Sequence, residues 1–108
     1  MELLTVTEKD GTDYKLYELS GGFNAYTLVN VASKIYSSIQ KTNVVLDMAN
    51  VTELDAAAIG VIMAAHNDSE ETGEKLYLLS ISNEVDRQLL ATGFKEEFNI
   101  ISSVTEVA

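Results

Sequence analysis

Asp55 stands directly before Ala56-Ala57-Ala58, where a polar connection gives way to Ile59, Ile62, Met63 and His66 at helical spacing. A helix start leaves several backbone N–H groups unpaired, so a side-chain carboxylate or a bound anion is favoured there, and Asp55 can act as the N-cap. Ala56 carries no oxygen nucleophile, so no phosphoryl group can be attached at that residue.

Other chemistry-bearing residues do not converge. His66 is the only histidine and cysteine is absent, so there is no disulfide, no thiol nucleophile and no nitrogen–sulfur metal site to complete. His66 falls on the inner side of its helix and reads as a hydrogen-bonding residue at the core edge. Glu70-Glu71 and Glu96-Glu97 lie at a polar helix end and in a loop, where solvated charge accounts for them. Serines and threonines are plentiful, but no base is patterned with them into a triad. Gly21-Gly22 lacks both the helix-opening glycine of a dinucleotide loop and the Lys-Ser/Thr of a P-loop. No catalytic residue, metal or cofactor is expected.

Charge narrows the partners. Seven basic against seventeen acidic residues give a formal charge of −10, which opposes phosphate backbones and anionic lipid surfaces. Nucleic acid is not an expected partner, and a basic protein surface is permitted. Met1 to Thr5 lack a basic segment followed by an apolar one, and no apolar run approaches the roughly 20 residues that span a bilayer. A cytoplasmic protein without membrane insertion is expected.

The elements that would position Asp55 follow from pattern. The 108 residues suit one domain, 1–108, with no linker, repeat or low-complexity tract. Leu3 to Thr7 and Tyr14 to Leu19 read as strands joined through Lys9-Asp10-Gly11-Thr12, a hairpin turn. Leu28, Val31, Ala32, Ile35 and Ile39 form one apolar face of a first helix. Val44-Val45-Leu46 reads as a central strand ending at Asp47, with Ala49 to Leu54 as the connection into the second helix. Gly73 stops that helix, and Leu76 to Leu79 is a further buried strand. Asn83 is placed to cap a third helix with Val85, Leu89 and Leu90 inward and Gly93 at its end. Phe98 to Ile101 reads as a last extended segment; Ser103 and Glu106 have capping-box spacing. Val45, Leu46, Ile62, Leu78 and Leu89 are expected in the core. The order β-β-α-β-α-β-α predicts an α/β fold, a mixed sheet with an antiparallel N-terminal pair followed by parallel strands in right-handed crossovers.

Leu46-Asp47, Leu54-Asp55, Ile59-Gly60-Val61-Ile62 and the stretch from Ser80-Ile81-Ser82 to Thr92-Gly93-Phe94 together resemble the STAS domain of bacterial anti-sigma-factor antagonists. In that family the turn reads Asp-Ser-Ser-Gly-Leu-Gly or close to it, and the serine after the aspartate is phosphorylated by the partner anti-sigma kinase. The resemblance puts Ala56 at that phosphoacceptor position, Ala57 at the neighbouring hydroxyl and Ala58 at the glycine. Leu19 to Thr27 resembles the strand-end motif in which a glycine is followed by an acid; here the acid is replaced by Asn24.

The resemblance implies a non-enzymatic interaction module that binds an anti-sigma factor serine kinase and so releases a sigma factor, held in a non-phosphorylatable form. The partner-binding surface it implies comprises Gly22, Asn24, Tyr26, Leu54, Asp55, Ala56, Ala57 and Ala58, with Tyr26 the interface candidate among the five tyrosines. A STAS-like scaffold or accessory subunit of another signalling or lipid-transport assembly is the alternative. A small enzyme or ligand-binding domain is disfavoured by the lack of a catalytic constellation.

Overall fold

The computed structural model describes residues 3–107; Met1, Glu2 and Ala108 lie outside the described residues. Five strands, β1 (Leu4–Asp10), β2 (Tyr14–Phe23), β3 (Asn43–Leu54), β4 (Leu76–Leu79) and β5 (Asn99–Ile101), form one sheet in the order of the sequence. β1 is antiparallel to β2, and every later pairing is parallel. Three helices, α1 (Ala32–Ile39), α2 (Ala56–Thr72) and α3 (Asn83–Thr92), link the parallel strands.

A sheet laid down in sequential order with crossovers of one hand places all its helices on one face. The packing has that asymmetry. Ile35 and Ile39 of α1, Ala58, Ile62 and Ala65 of α2, and Val85 and Leu89 of α3 share one cluster with Leu46 and Leu78 of the sheet. The reverse face carries a smaller cluster, Leu16, Val45, Tyr77, Leu79 and Ile101, packed against Tyr14, Val104 and Val107. The five expected core residues, Val45, Leu46, Ile62, Leu78 and Leu89, are all fully buried.

Five expectations are corrected. Asp47 does not end the central strand, and Ala49 to Leu54 is strand rather than connection, because β3 runs on beside β2 to Leu54. The pairing shifts register between Glu18 and Ser20 and again between Gly21 and Gly22, so buried positions recur at Met48, Val51 and Leu54 instead of alternating. β2 likewise extends past Leu19 to Phe23. Gly21 in this irregular stretch has φ of +106°, and a Cβ there would sit 2.1 Å from the Leu3 carbonyl oxygen, so only glycine fits.

Leu28 lies not on α1 but on a separate 3-10 turn, Leu28–Asn30, that precedes it. The N-cap of α3 is Ser82, whose Oγ accepts from Val85 N at 3.2 Å and donates to Val51 O at 2.7 Å; Asn83 is the first helical residue. Leu90 points outward, because the inward stripe of α3 is completed by Val85 and Leu89. Gly73 and Gly93 are the C-caps expected of them.

Candidate functional site

The ends of β2 and β3 lie side by side, with Phe23 paired to Leu54 and both side chains buried. Both chains turn at the next residue, Asn24 on one and Asp55 on the other. These two polar side chains organise everything that follows.

Asp55 is extended, with φ −99° and ψ 179°, and its Oδ1 accepts from Ala58 N at 2.9 Å. This is the N-cap expected from sequence, which typically stabilises a helix by about 1 kcal/mol. Its Oδ2 accepts from Ala25 N at 2.9 Å, so one carboxylate caps α2 and also ties down the loop after β2.

Asn24 closes that loop from within. Its Oδ1 accepts from Tyr26 N at 2.9 Å and Thr27 N at 3.1 Å, and Nδ2 donates to Glu53 Oε1 at 2.7 Å. Thr27 Oγ1 accepts from Asn24 N at 3.0 Å and donates to Gly22 O at 2.7 Å. Asn24 is only 3% exposed, and this network satisfies its amide and its backbone N–H. A short polar side chain that mimics a backbone turn is the local device that folds the segment.

The result is a surface of small and apolar groups on a rigid base. Ala25, Ala56 and Ala57 are exposed, Tyr26 is 75% exposed and Val29 on the 3-10 turn 70%. Asp55 is half-buried between them. Gly22, Asn24, Leu54 and Ala58 are buried beneath, so the eight residues named from sequence divide into an accessible set and a supporting set.

Glu53, Thr27 and Val29 were not given roles from sequence. The Asn24-x-x-Thr27 spacing is a loop-closing signal that a turn-directed reading would find. Glu53 and Val29 carry no such signal, since their place depends on the β2–β3 pairing and on the 3-10 turn.

His66 is not part of this surface, lying two to three turns further along α2, about 15 Å at 1.5 Å per residue. Its Nε2 is 3.2 Å from Glu70 Oε1, and its ring meets Phe98 edge-on at 5.4 Å. Among the described residues no group of three or more His, Cys, Asp or Glu is placed to hold a metal ion, and no helix is long and apolar enough to cross a membrane.

Comparison with known proteins gives this geometry a family. A chain from Thermotoga maritima assigned as an anti-sigma factor antagonist matches with a TM-score of 0.83 at 18% identity, covering 94% of this chain and 89% of that one. An anti-sigma factor antagonist from Mycobacterium paratuberculosis gives 0.82 at 14% identity, with 95% and 89% covered. The Bacillus antagonist SpoIIAA, solved in a phosphorylated form, gives 0.75 at 14% identity, with 94% and 95% covered. At these identities the structures share the fold, and the model of the STAS domain matches residues 4–107. The chain belongs to the STAS domain family.

Proposed function

We propose that this chain is a non-catalytic interaction module of the anti-sigma-factor antagonist type, which binds an anti-sigma serine kinase in the cytoplasm and thereby releases a sigma factor. The observation that carries the reading is the juxtaposition of exposed Ala56 and Ala57, at the start of α2, with exposed Tyr26, all fixed to one base by the Asp55 carboxylate. Exposed aromatics and small side chains on a preorganised base suit a protein interface, where ordering costs are low. Structures of SpoIIAA in unphosphorylated and phosphorylated forms support phosphorylation as the relevant chemistry for this fold.

In this reading Ala56 occupies the phosphoacceptor position, and the chain is locked in the binding-competent state. Phosphorylation would place about −1.5 to −2 charges at that point. A methyl group cannot take them. Regulation then falls to the amount of the protein or to its partner. Contact with the kinase is made by Tyr26, Ala56, Ala57 and the accessible edge of Asp55, while Gly22, Asn24, Leu54 and Ala58 hold the surface in shape.

The test uses the anti-sigma kinase of the same bacterium. Calorimetric titration is expected to give binding that Ala57→Arg abolishes without loss of fold, because bulk and charge enter the interface centre. Incubation with kinase and ATP is expected to leave the unmodified chain without phosphate, while Ala56→Ser gains it at that residue. Unchanged affinity in Ala57→Arg, or stoichiometric phosphate on the unmodified chain at a nearby hydroxyl such as Thr52, would overturn the reading. Capture of a transporter ATPase in place of a kinase would support the scaffold alternative.

A further inference from the structure

Beyond the partner surface, the far half of α2 faces a pocket of about 280 Å³ lined by Met63, His66, Asn67 and Glu70 from the helix and by Phe94, Glu97 and Phe98. Met63, His66 and Glu70 sit at i, i+3 and i+7 on α2 and so form one stripe. The other wall comes from the segment after α3, where Lys95–Glu97 forms a 3-10 turn between Phe94 and Phe98.

The walls combine two chemistries. Phe98 is buried against the His66 ring, Met63 is partly buried, and Phe94 is half exposed. These supply an apolar floor and an aromatic face at the rim. Glu70 and Glu97 supply carboxylates, and none of the lining residues is Lys or Arg. Lys95, the cation nearest in sequence, pairs with Asp86 of α3. His66 places Nε2 against Glu70, and its Nδ1 is buried with no partner among the described residues.

We propose that this pocket binds a small organic cation with an apolar body, an aryl- or alkylammonium compound. The apolar body lies against Met63 and Phe98, and the ammonium group is held by the Glu70 and Glu97 carboxylates and the face of Phe94. Charge selects the sign of the ligand. The chain carries −10 overall, so an anion of the same shape is repelled, both by the two lining carboxylates and by the field of the whole molecule. Size selects its length: at about 280 Å³ the volume lies just below the roughly 300–1,000 Å³ typical of ligand pockets, which suits one ring or a short chain. The inference does not rest on the identity of the protein partner.

The test is titration of the full chain with 2-phenylethylammonium chloride, followed through the Met63 methyl and the backbone amides by NMR. 3-Phenylpropanoate and 2-phenylethanol serve as the anionic and neutral probes. The expected result is a saturable shift centred on Met63, Phe94 and Phe98, with Kd of about 1 mM or tighter for the cation and at least about tenfold weaker for the other two. Glu97→Gln, Glu70→Gln and Phe94→Ala alter side chains exposed at the rim, so each variant folds, as its amide spectrum will report. Each is expected to weaken the cation by about three- to tenfold, and added salt to weaken it further. Shifts that do not saturate, equal affinity for the alcohol, or affinity unchanged in both glutamate variants would overturn the proposal.

Discussion

At the residue scale, the contact between Asn24 and Glu53 joins the loop after β2 to the end of β3. Position 24 carries an amide, and a carboxylate stands in contact with it, contributed by β3 instead of the loop. The amide is needed for that contact: Nδ2 is the donor to Glu53 Oε1 at 2.7 Å, and a carboxylate at 24 would meet another acceptor. Asn24→Asp is therefore expected to cost about 1–3 kcal/mol at pH 7, through a lost charge-assisted bond and like-charge repulsion. The sign with pH follows. Two carboxylates at this contact repel each other only while both are ionised, so the deficit is full at neutral pH and shrinks as pH falls towards the carboxylate range. Urea unfolding at pH 7 and pH 5 checks this, with Glu53→Gln added to restore a donor and recover stability. An equal loss at both pH values without rescue would mean that the contact has no energetic role.

At the element scale, the helix faces and short strands were legible because each keeps a single period. Ile35 and Ile39 of α1 and Val85 and Leu89 of α3 fall inward at helical spacing, and Leu76 to Leu79 is an unbroken apolar run; on α2 the buried face is Ala58, Val61, Ile62 and Ala65, so of the expected stripe only Ile62 is fully buried and Ile59, Met63 and His66 lie at its edge. β3 was not legible past Asp47, since two register shifts convert its later inward positions to Met48, Val51 and Leu54, a spacing of three that mimics neither strand nor loop. The Asp55 cap was legible because an acid before a helix has one physical use; its second bond, to Ala25 N, depends on strand pairing and was not. Leu90 was misplaced because an apolar residue beside Leu89 fits a helix face by composition alone, whereas it is 59% exposed. These assignments make a paired prediction. Leu46→Ala, at a position with no exposure on the helix-covered face, should cost about 2–5 kcal/mol. Leu90→Ala should stay within about 0.5 kcal/mol. Denaturant midpoints at constant m-value would separate the two, and similar losses would refute the orientation of α3.

At the scale of the whole molecule, the reverse of the sheet is covered among the described residues by the turn Val104–Glu106 and its neighbours. Val104 and Val107 pack there with Tyr14 against Leu16, Val45, Tyr77, Leu79 and Ile101. That turn, Val104–Glu106, is held by a capping box in which Glu106 accepts from Ser102 N at 2.8 Å, Ser102 Oγ at 3.0 Å and Ser103 N at 3.0 Å. These donors, the Ser102 backbone N–H foremost, hold the Glu106 carboxyl below the ordinary glutamate value of 4.5. A depressed folded pKa means that the stabilisation is complete above the unfolded value and is lost as pH falls through the lower folded one. As pH falls through that lowered value the turn is therefore expected to release and Val104 and Val107 to leave the sheet. Global unfolding is a poor reporter of this step, because acid also discharges the −10 net charge and relieves self-repulsion across the molecule. The local signals are decisive: the Ser102 and Ser103 amides and the Val104 and Val107 methyls should titrate together with a midpoint below that of free glutamate. Glu106→Gln, which cannot ionise, should remove that titration, and its persistence in the variant would assign the release to another carboxylate.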